Sequence, residues 1–211
     1  MKVLIDIHFL PCLEYLAVLL NHEEIILEQH EHYVKQSYRN RCYVNTANGI
    51  LKLVVPVTAK HNKALIKDVQ IDSSSRWQNI HWRAIESAYS NAAFYDHYHE
   101  DLKKIIFTEY EFLYDLNLAL LSFCLKAMKH SMLLTESTSY EKVPQNNIAD
   151  LRSVISPKSA YSERSYYKLV PYTQVFGNKF APNLSFIDLL FCEGPNSMQI
   201  LKSSTRGDLN K

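Results

Sequence analysis

Glycine is scarce in this chain, with four in 211 residues. That scarcity excludes a glycine-rich phosphate cradle, which needs several backbone amides free of side chains in one loop, and it argues against a loop-rich β-sandwich. Cysteine is equally sparse. Cys12, Cys42, Cys124 and Cys192 lie far apart, form no C-x-x-C pair and sit among apolar residues, so neither a disulfide nor a zinc framework is expected. An excess of one charge is missing too: 23 basic residues face 22 acidic ones, with no long run of either sign. A nucleic-acid partner, which needs a clustered basic face, is therefore not expected. Long hydrophobic runs are absent. The richest later stretch, Leu116 to Met128, is broken by Asn117 and Lys126 and falls well short of the ~20 residues that span a bilayer. Near the N-terminus Asp6 interrupts the apolar run of Val3, Leu4, Ile5 and Ile7, which does not suit a signal peptide, and the chain reads as cytoplasmic. No nucleophile elbow, Walker loop, dinucleotide fingerprint, kinase set or zinc-protease helix occurs.

What is present is an ordinary globular share of hydrophobic residues, 47%, and an unusual 14 tyrosines. Tyrosine is an apolar ring with a hydrogen-bonding tip, so it suits a polar cleft as well as a boundary layer. The length fits one domain over residues 1–211. Val3 to Phe9 reads as a buried strand, Leu13, Leu16, Ala17 and Leu20 as a helix behind Pro11, and Glu24 to Glu28 as a second strand. Strand, helix and strand in that order predict a parallel βαβ unit. Arg41–Asn45 and Ile50–Thr58 flank Asn48-Gly49, a hairpin signal, and Lys67–Ile71 reads as a further short strand. Helical periodicity then takes over: Trp77, Ile80, Ala84, Ile85 and Ala88; Leu102, Ile105 and Ile106; Phe112, Leu116, Leu120, Phe123 and Ala127. Leu133–Ser137 returns as a strand, residues 138–168 are polar, and Leu184–Phe191 is a short apolar helix. The expected fold class is α/β: an N-terminal mixed sheet with a βαβ start and a hairpin, followed by a helical segment packed on it. A mobile segment is expected at about 140–168, as a lid or a surface loop, and a frayed tail at 206–211.

Several groups of residues carry chemistry. Arg39 and Arg41, flanking Asn40, offer fixed donors for a phosphate or carboxylate, or serve as surface ion-pair partners. Trp77 and His81 lie one turn apart on one helix face, suited to stacking beside a proton-transfer group or to a core histidine. Asp6 and His8 share a face of the first strand near its carboxyl end, where α/β sheets hold their ligands; Asp6 as a structural carboxylate is the alternative. His30-Glu31-His32 could place two imidazoles on one ion, but no third ligand stands out, so no metal site is assigned. Cys42 beside Arg41 has the one setting that approaches an activated thiol.

Three blocks together resemble the WbqC-like family, bacterial proteins often associated with gene clusters for O-antigen and other surface polysaccharides. The first is Phe9-Leu10-Pro11 with Leu13 and Tyr15. The second is Tyr38-Arg39-Asn40-Arg41, Gly49, Leu53-Val54-Val55-Pro56-Val57, and Trp77 with His81. The third is Pro171-Tyr172 with Gln174, then Phe180, Pro182-Asn183-Leu184-Ser185, Ile187-Asp188-Leu189-Leu190-Phe191 and Gly194. Where the family often reads His-Gln-Pro ahead of the aromatic-Leu-Pro step, this chain has Ile5-Asp6-Ile7, so Asp6 or His8 would have to substitute. The resemblance implies transfer of an acyl or aminoacyl group onto an activated amino sugar; no cofactor is assigned. In that reading Arg39, Asn40 and Arg41 hold the anionic part of the substrate, with Trp77 beside it. Tyr172 and Gln174 contact the sugar, and His81 or His8 is the general base. Asp188 either caps its helix with Ser185 or pairs with the arginines. A non-catalytic sugar- or partner-binding protein and a metal-dependent hydrolase on His30 and His32 are the alternatives, and a homo-oligomer is left open.

Overall fold

A computed structural model describes residues 1–58, 64–145, 147–177 and 179–206; the expected frayed tail lies largely outside the described residues. β1 (Lys2–Asp6), α1 (Leu13–Leu20) and β2 (Glu24–Glu28) form the predicted βαβ unit, with β1 and β2 parallel from Lys2 opposite Glu24 to Asp6 opposite Glu28. β1 is buried from Val3 to Asp6, and its apolar Val3, Leu4 and Ile5 suit an inner strand of a parallel sheet. α1 is apolar nearly all round and almost wholly buried, which suits a crossover helix inside the core.

The mixed sheet resolves into two separate sheets. The larger is parallel, in the order β5-β2-β1-β6, and the smaller is the hairpin of β3 (Arg41–Thr46) and β4 (Gly49–Val54). Gly49 makes the hairpin turn with a φ of +98°, a conformation that disfavours any residue with a Cβ. The strand expected at Leu133–Ser137 is β5 (Leu133–Glu136), and it pairs in parallel with β2. β6 (Ile148–Asp150), which pairs with β1, arises inside the polar segment expected to be mobile. That segment is further tied by buried Leu151, Ile155 and Tyr167 and by Arg164, which donates Nε–H and Nη2–H to the carboxylate of Glu14 at 2.7 Å each. The short strand expected at Lys67–Ile71 is instead a 3-10 turn over Ile66–Asp68 followed by single bridges from Gln70 to Phe112 and from Ile71 to Val57.

The helical half comprises α2 (Trp77–Tyr89), α3 (Tyr95–Phe107) and α4 (Leu113–Ala127), which pack in sequence order. α5 (Phe186–Glu193) touches α3, α4, β3 and the last helix, α6 (Ser197–Ser204). No helix among the described residues is long and apolar enough to cross a membrane. α5 ends at Gly194, where φ is +52° and an added Cβ would overlap the ring of Phe94. Gly194→Ala therefore combines backbone strain with a core clash and should lower stability by about 1–3 kcal/mol, measurable by denaturant titration. An unchanged midpoint would contradict this account of the α5 terminus.

Candidate functional site

In an open parallel sheet, a ligand crevice forms at the carboxyl ends of the strands where the winding reverses. Here the chain moves outward from β1 to β2 and β5, then returns to the other side of β1 for β6. The reversal lies between β1 and β6, and that edge carries the densest set of buried charges.

Asp6 closes β1 and is 1% exposed. Its Oδ1 accepts the backbone N–H of Ser153, just past β6, at 2.7 Å, and its Oδ2 lies 3.0 Å from Nη1 of Arg39. Arg39, also 1% exposed, donates Nε–H and Nη2–H to the two carboxylate oxygens of Glu31, each at 2.7 Å, and a further Nη2–H to Ser153 Oγ at 2.9 Å. Its backbone is pinned as well, because Asn117 of α4 donates to its carbonyl at 2.7 Å. One guanidinium thus serves two buried acids, and the two respond in opposite directions. Burial opposes ionisation of Asp6, but the charge of Arg39 and the contact with His8 outweigh it and hold Asp6 below the usual carboxylate range. Burial pushes Glu31 up against the pull of Arg39, and the neighbouring charges of Asp6 and Glu28 add to that push.

One strand over, Glu28 is fully buried at the end of β2. Its Oε1 accepts the Ser137 hydroxyl at 2.6 Å and the His30 backbone N–H at 2.8 Å, and its Oε2 accepts Nη1–H of Arg152 at 3.0 Å. Arg152 also makes a two-point pair with Asp150, at 2.9 and 2.7 Å, beneath the ring of Tyr140 at 4.8 Å. His30 Nδ1 lies 3.2 Å from Ser137 Oγ. Above this edge opens a cleft of about 810 Å³, lined among others by His30, Glu31, His32, Tyr140, Lys142, Arg152 and Ser153. Ser153 holds a φ of +59°, rare for a residue with a side chain, and strain of this kind clusters at ligand sites.

The residues expected from the sequence divide into three places. Asp6, His8 and Arg39 do meet at the sheet edge. His8 donates Nε2–H to Asp6 at 3.1 Å and packs tilted against Tyr15 with ring centroids 4.3 Å apart, but it is fully enclosed, and burial lowers its pKa. Every nitrogen of Arg39 is committed to protein oxygen, so it has no free fork for a substrate anion. Asn40 is buried, with its amide donating to the Val55 carbonyl at 2.9 Å, and Arg41 opens β3 half-buried. Trp77 and His81 form a second place. His81 packs edge-on to Trp77, donates Nε2–H to the Val54 carbonyl at 3.1 Å, and burial lowers its pKa to about 4. It is not among the residues lining the cleft. Cys42 is buried among apolar groups, and burial raises its pKa, which disfavours the thiolate.

Tyr172, Gln174 and Asp188 form the third place. The Tyr89 hydroxyl donates to Asp188 Oδ1 at 2.8 Å, and Tyr172 Oη–H and Gln174 Nε2–H donate to Oδ2 at 2.6 and 2.9 Å. Both earlier readings of Asp188 are corrected by this arrangement. Ser185 makes no side-chain cap, and the carboxylate is taken by two tyrosines and an amide rather than by arginine. Burial pushes its pKa up against these three donors. Gln174 also closes its loop by exchanging two hydrogen bonds with the Ala181 backbone, at 2.9 and 2.8 Å. Among the described residues no group of three or more His, Cys, Asp or Glu side chains is placed to hold a metal ion.

Among the residues of this edge that sequence reasoning missed are Glu28, Ser137, Arg152 and Ser153. The last two follow a strand hidden in a polar stretch, and the first two lie at the ends of strands that were read correctly.

The WbqC-like protein family model matches residues 7–170 and 158–200, and the chain belongs to that family. It is similar to the uncharacterised protein Rv1507c of Mycobacterium tuberculosis (strain ATCC 25618 / H37Rv), with 27% identity over 94% of this chain and 96% of the relative. No solved structure matches it.

Asp6→Asn should cost roughly 3–5 kcal/mol, the penalty for leaving a buried guanidinium short of a partner, read by denaturant titration. The folded pKa of Asp6 is depressed, so its contribution is complete above the ordinary 3.8 and is lost as the pH falls through the lower folded value. The variant should therefore lose stability less steeply in that acid range. Equal slopes would show that Asp6 is not the group responsible.

Proposed function

We propose that the protein is a transferase acting on an activated amino sugar, by acyl or aminoacyl transfer, in the cytoplasmic assembly of a cell-surface polysaccharide of the O-antigen type. The observation that carries this reading is the cleft at the carboxyl edge of the parallel sheet, where carboxylates, short hydroxyls and cations converge. Asp150, Ser153, Thr138 and Ser139 supply the acceptors and donors that read sugar hydroxyls, and all line the cleft. Lys142, exposed at its rim, supplies a positive charge for an activating phosphate. Arg39 acts from behind, holding Ser153 and Glu31 in place instead of binding the anion itself. Membership of the WbqC-like family supports the pathway.

A thermal-shift screen against uridine-, thymidine- and guanosine-diphosphate sugars, with and without an amino group, tests the reading. A ligand at 100 times its dissociation constant adds ~2.7 kcal/mol, a readily visible shift. Lys142→Ala should weaken binding of a nucleotide sugar by about tenfold, or ~1.4 kcal/mol, with the melting temperature of the free protein unchanged. No stabilisation by any nucleotide sugar at millimolar concentration would overturn the substrate class.

A further inference from the structure

Ser137 Oγ has one proton and two lone pairs, and the structure fixes the use of all three. Glu28 receives only donors: the Ser137 hydroxyl, the His30 backbone N–H and Arg152. It is therefore the acceptor in each contact, and the Ser137 proton must point to it, across 2.6 Å. Towards its other neighbours Ser137 Oγ can then only accept. One of these is the backbone N–H of Gln29 at 3.1 Å, and the other is His30 Nδ1 at 3.2 Å. The proton of a neutral His30 ring consequently sits on Nδ1, and Nε2 keeps its lone pair. Glu28 fixes the backbone and the ring of His30 together, the former directly and the latter through Ser137. His30 lines the cleft, whereas His8 and His81 are enclosed.

We propose that His30 is the general base of the cleft, with Ser137 and Glu28 as the positioning residues that set its tautomer. The inference rests on the transferase reading for its reaction and on the hydrogen-bond chain for its residue. In the step it serves, an amine or hydroxyl of the acceptor sugar forms a bond to the carbonyl carbon of a thioester-class acyl donor. Nε2 of His30 takes the proton released from that nucleophile. The carbon–sulfur bond breaks, the thiolate leaves with the bonding pair, and it receives the proton from His30.

Two measurements need no substrate. Long-range proton–nitrogen spectra of the labelled protein in mildly alkaline buffer, assigned with His30→Gln, should show His30 protonated at Nδ1 and bare at Nε2. In Ser137→Ala that preference should be lost. Diethyl pyrocarbonate, which reacts at an unprotonated ring nitrogen, should modify His30 in the folded protein ahead of His8 and His81. A proton found on Nε2 in the wild type, or a His30 that resists modification, overturns the proposal.

With an aminosugar nucleotide and a thioester donor, His30→Gln should retain sugar binding within about twofold and lose turnover by about 10²–10⁴-fold. Ser137→Ala should fall between that variant and the wild type. Full turnover by His30→Gln would also overturn the proposal. If the wild type transfers nothing while the spectra and modification come out as expected, the failure lies with the transferase reading and not with the poised histidine.

Discussion

A guanidinium removed from water must be met by oxygen on every side, and Arg39 is such a group. With 1% of its surface exposed, it constrains everything around it. Glu31 takes one edge of its fork, Asp6 and Ser153 take the rest, and Asn117 holds the backbone behind it. These partners come from the loop after β2, the end of β1, the turn after β6 and the second turn of α4. A single side chain thus ties both sides of the sheet's winding reversal to the helical half. Such a group is costly to strand, since removal of one partner from a buried pair costs several kcal/mol. It fixes geometry even where a well-packed apolar cluster would match it in stability.

The consequence for function is a division of labour along the carboxyl edge. Asp6 and Arg39 are spent on structure, and they hold Ser153 in its strained turn at the cleft wall. Glu28 and Ser137, one and two strands away, hold His30 by its backbone N–H and its Nδ1. Recognition in the proposed reaction falls to the residues beyond, Asp150, Lys142 and the hydroxyls of Thr138 and Ser139. Arg39, which looks like part of an anion clamp in the linear chain, therefore has no free fork to offer a ligand.

The βαβ start, the hairpin and the three long helices were legible in the sequence because each rests on local periodicity or on a turn residue with one preferred geometry. β6 was not legible. Its three residues, Ile148–Asp150, lie in a polar stretch and owe their strand conformation to pairing with β1, which no local pattern reports. The site was half legible for the same reason. Asp6 and Arg39 were visible as polar residues near a strand end, but the acids that saturate Arg39 are remote in sequence or follow a different strand. Asp188 and Glu14 teach a related lesson. Each is an acid inside an apolar helix, a signal that a buried donor must exist without a sign of which one. For Asp188 the donors are Tyr89, Tyr172 and Gln174, and for Glu14 they are Arg164 and Asn183.

The dependence of this edge on Arg39 can be read one amide at a time. In Arg39→Lys the charge remains, but a single ammonium cannot reach Glu31, Asp6 and Ser153 together. Native-state hydrogen exchange should then show the Ser153 amide, which donates to Asp6, losing much of its protection. The amides of α2 and α3, which supply none of the partners of Arg39, should keep theirs. Protection of Ser153 equal to that of the wild type, in a variant that folds normally, would contradict the claim that Arg39 holds the site together.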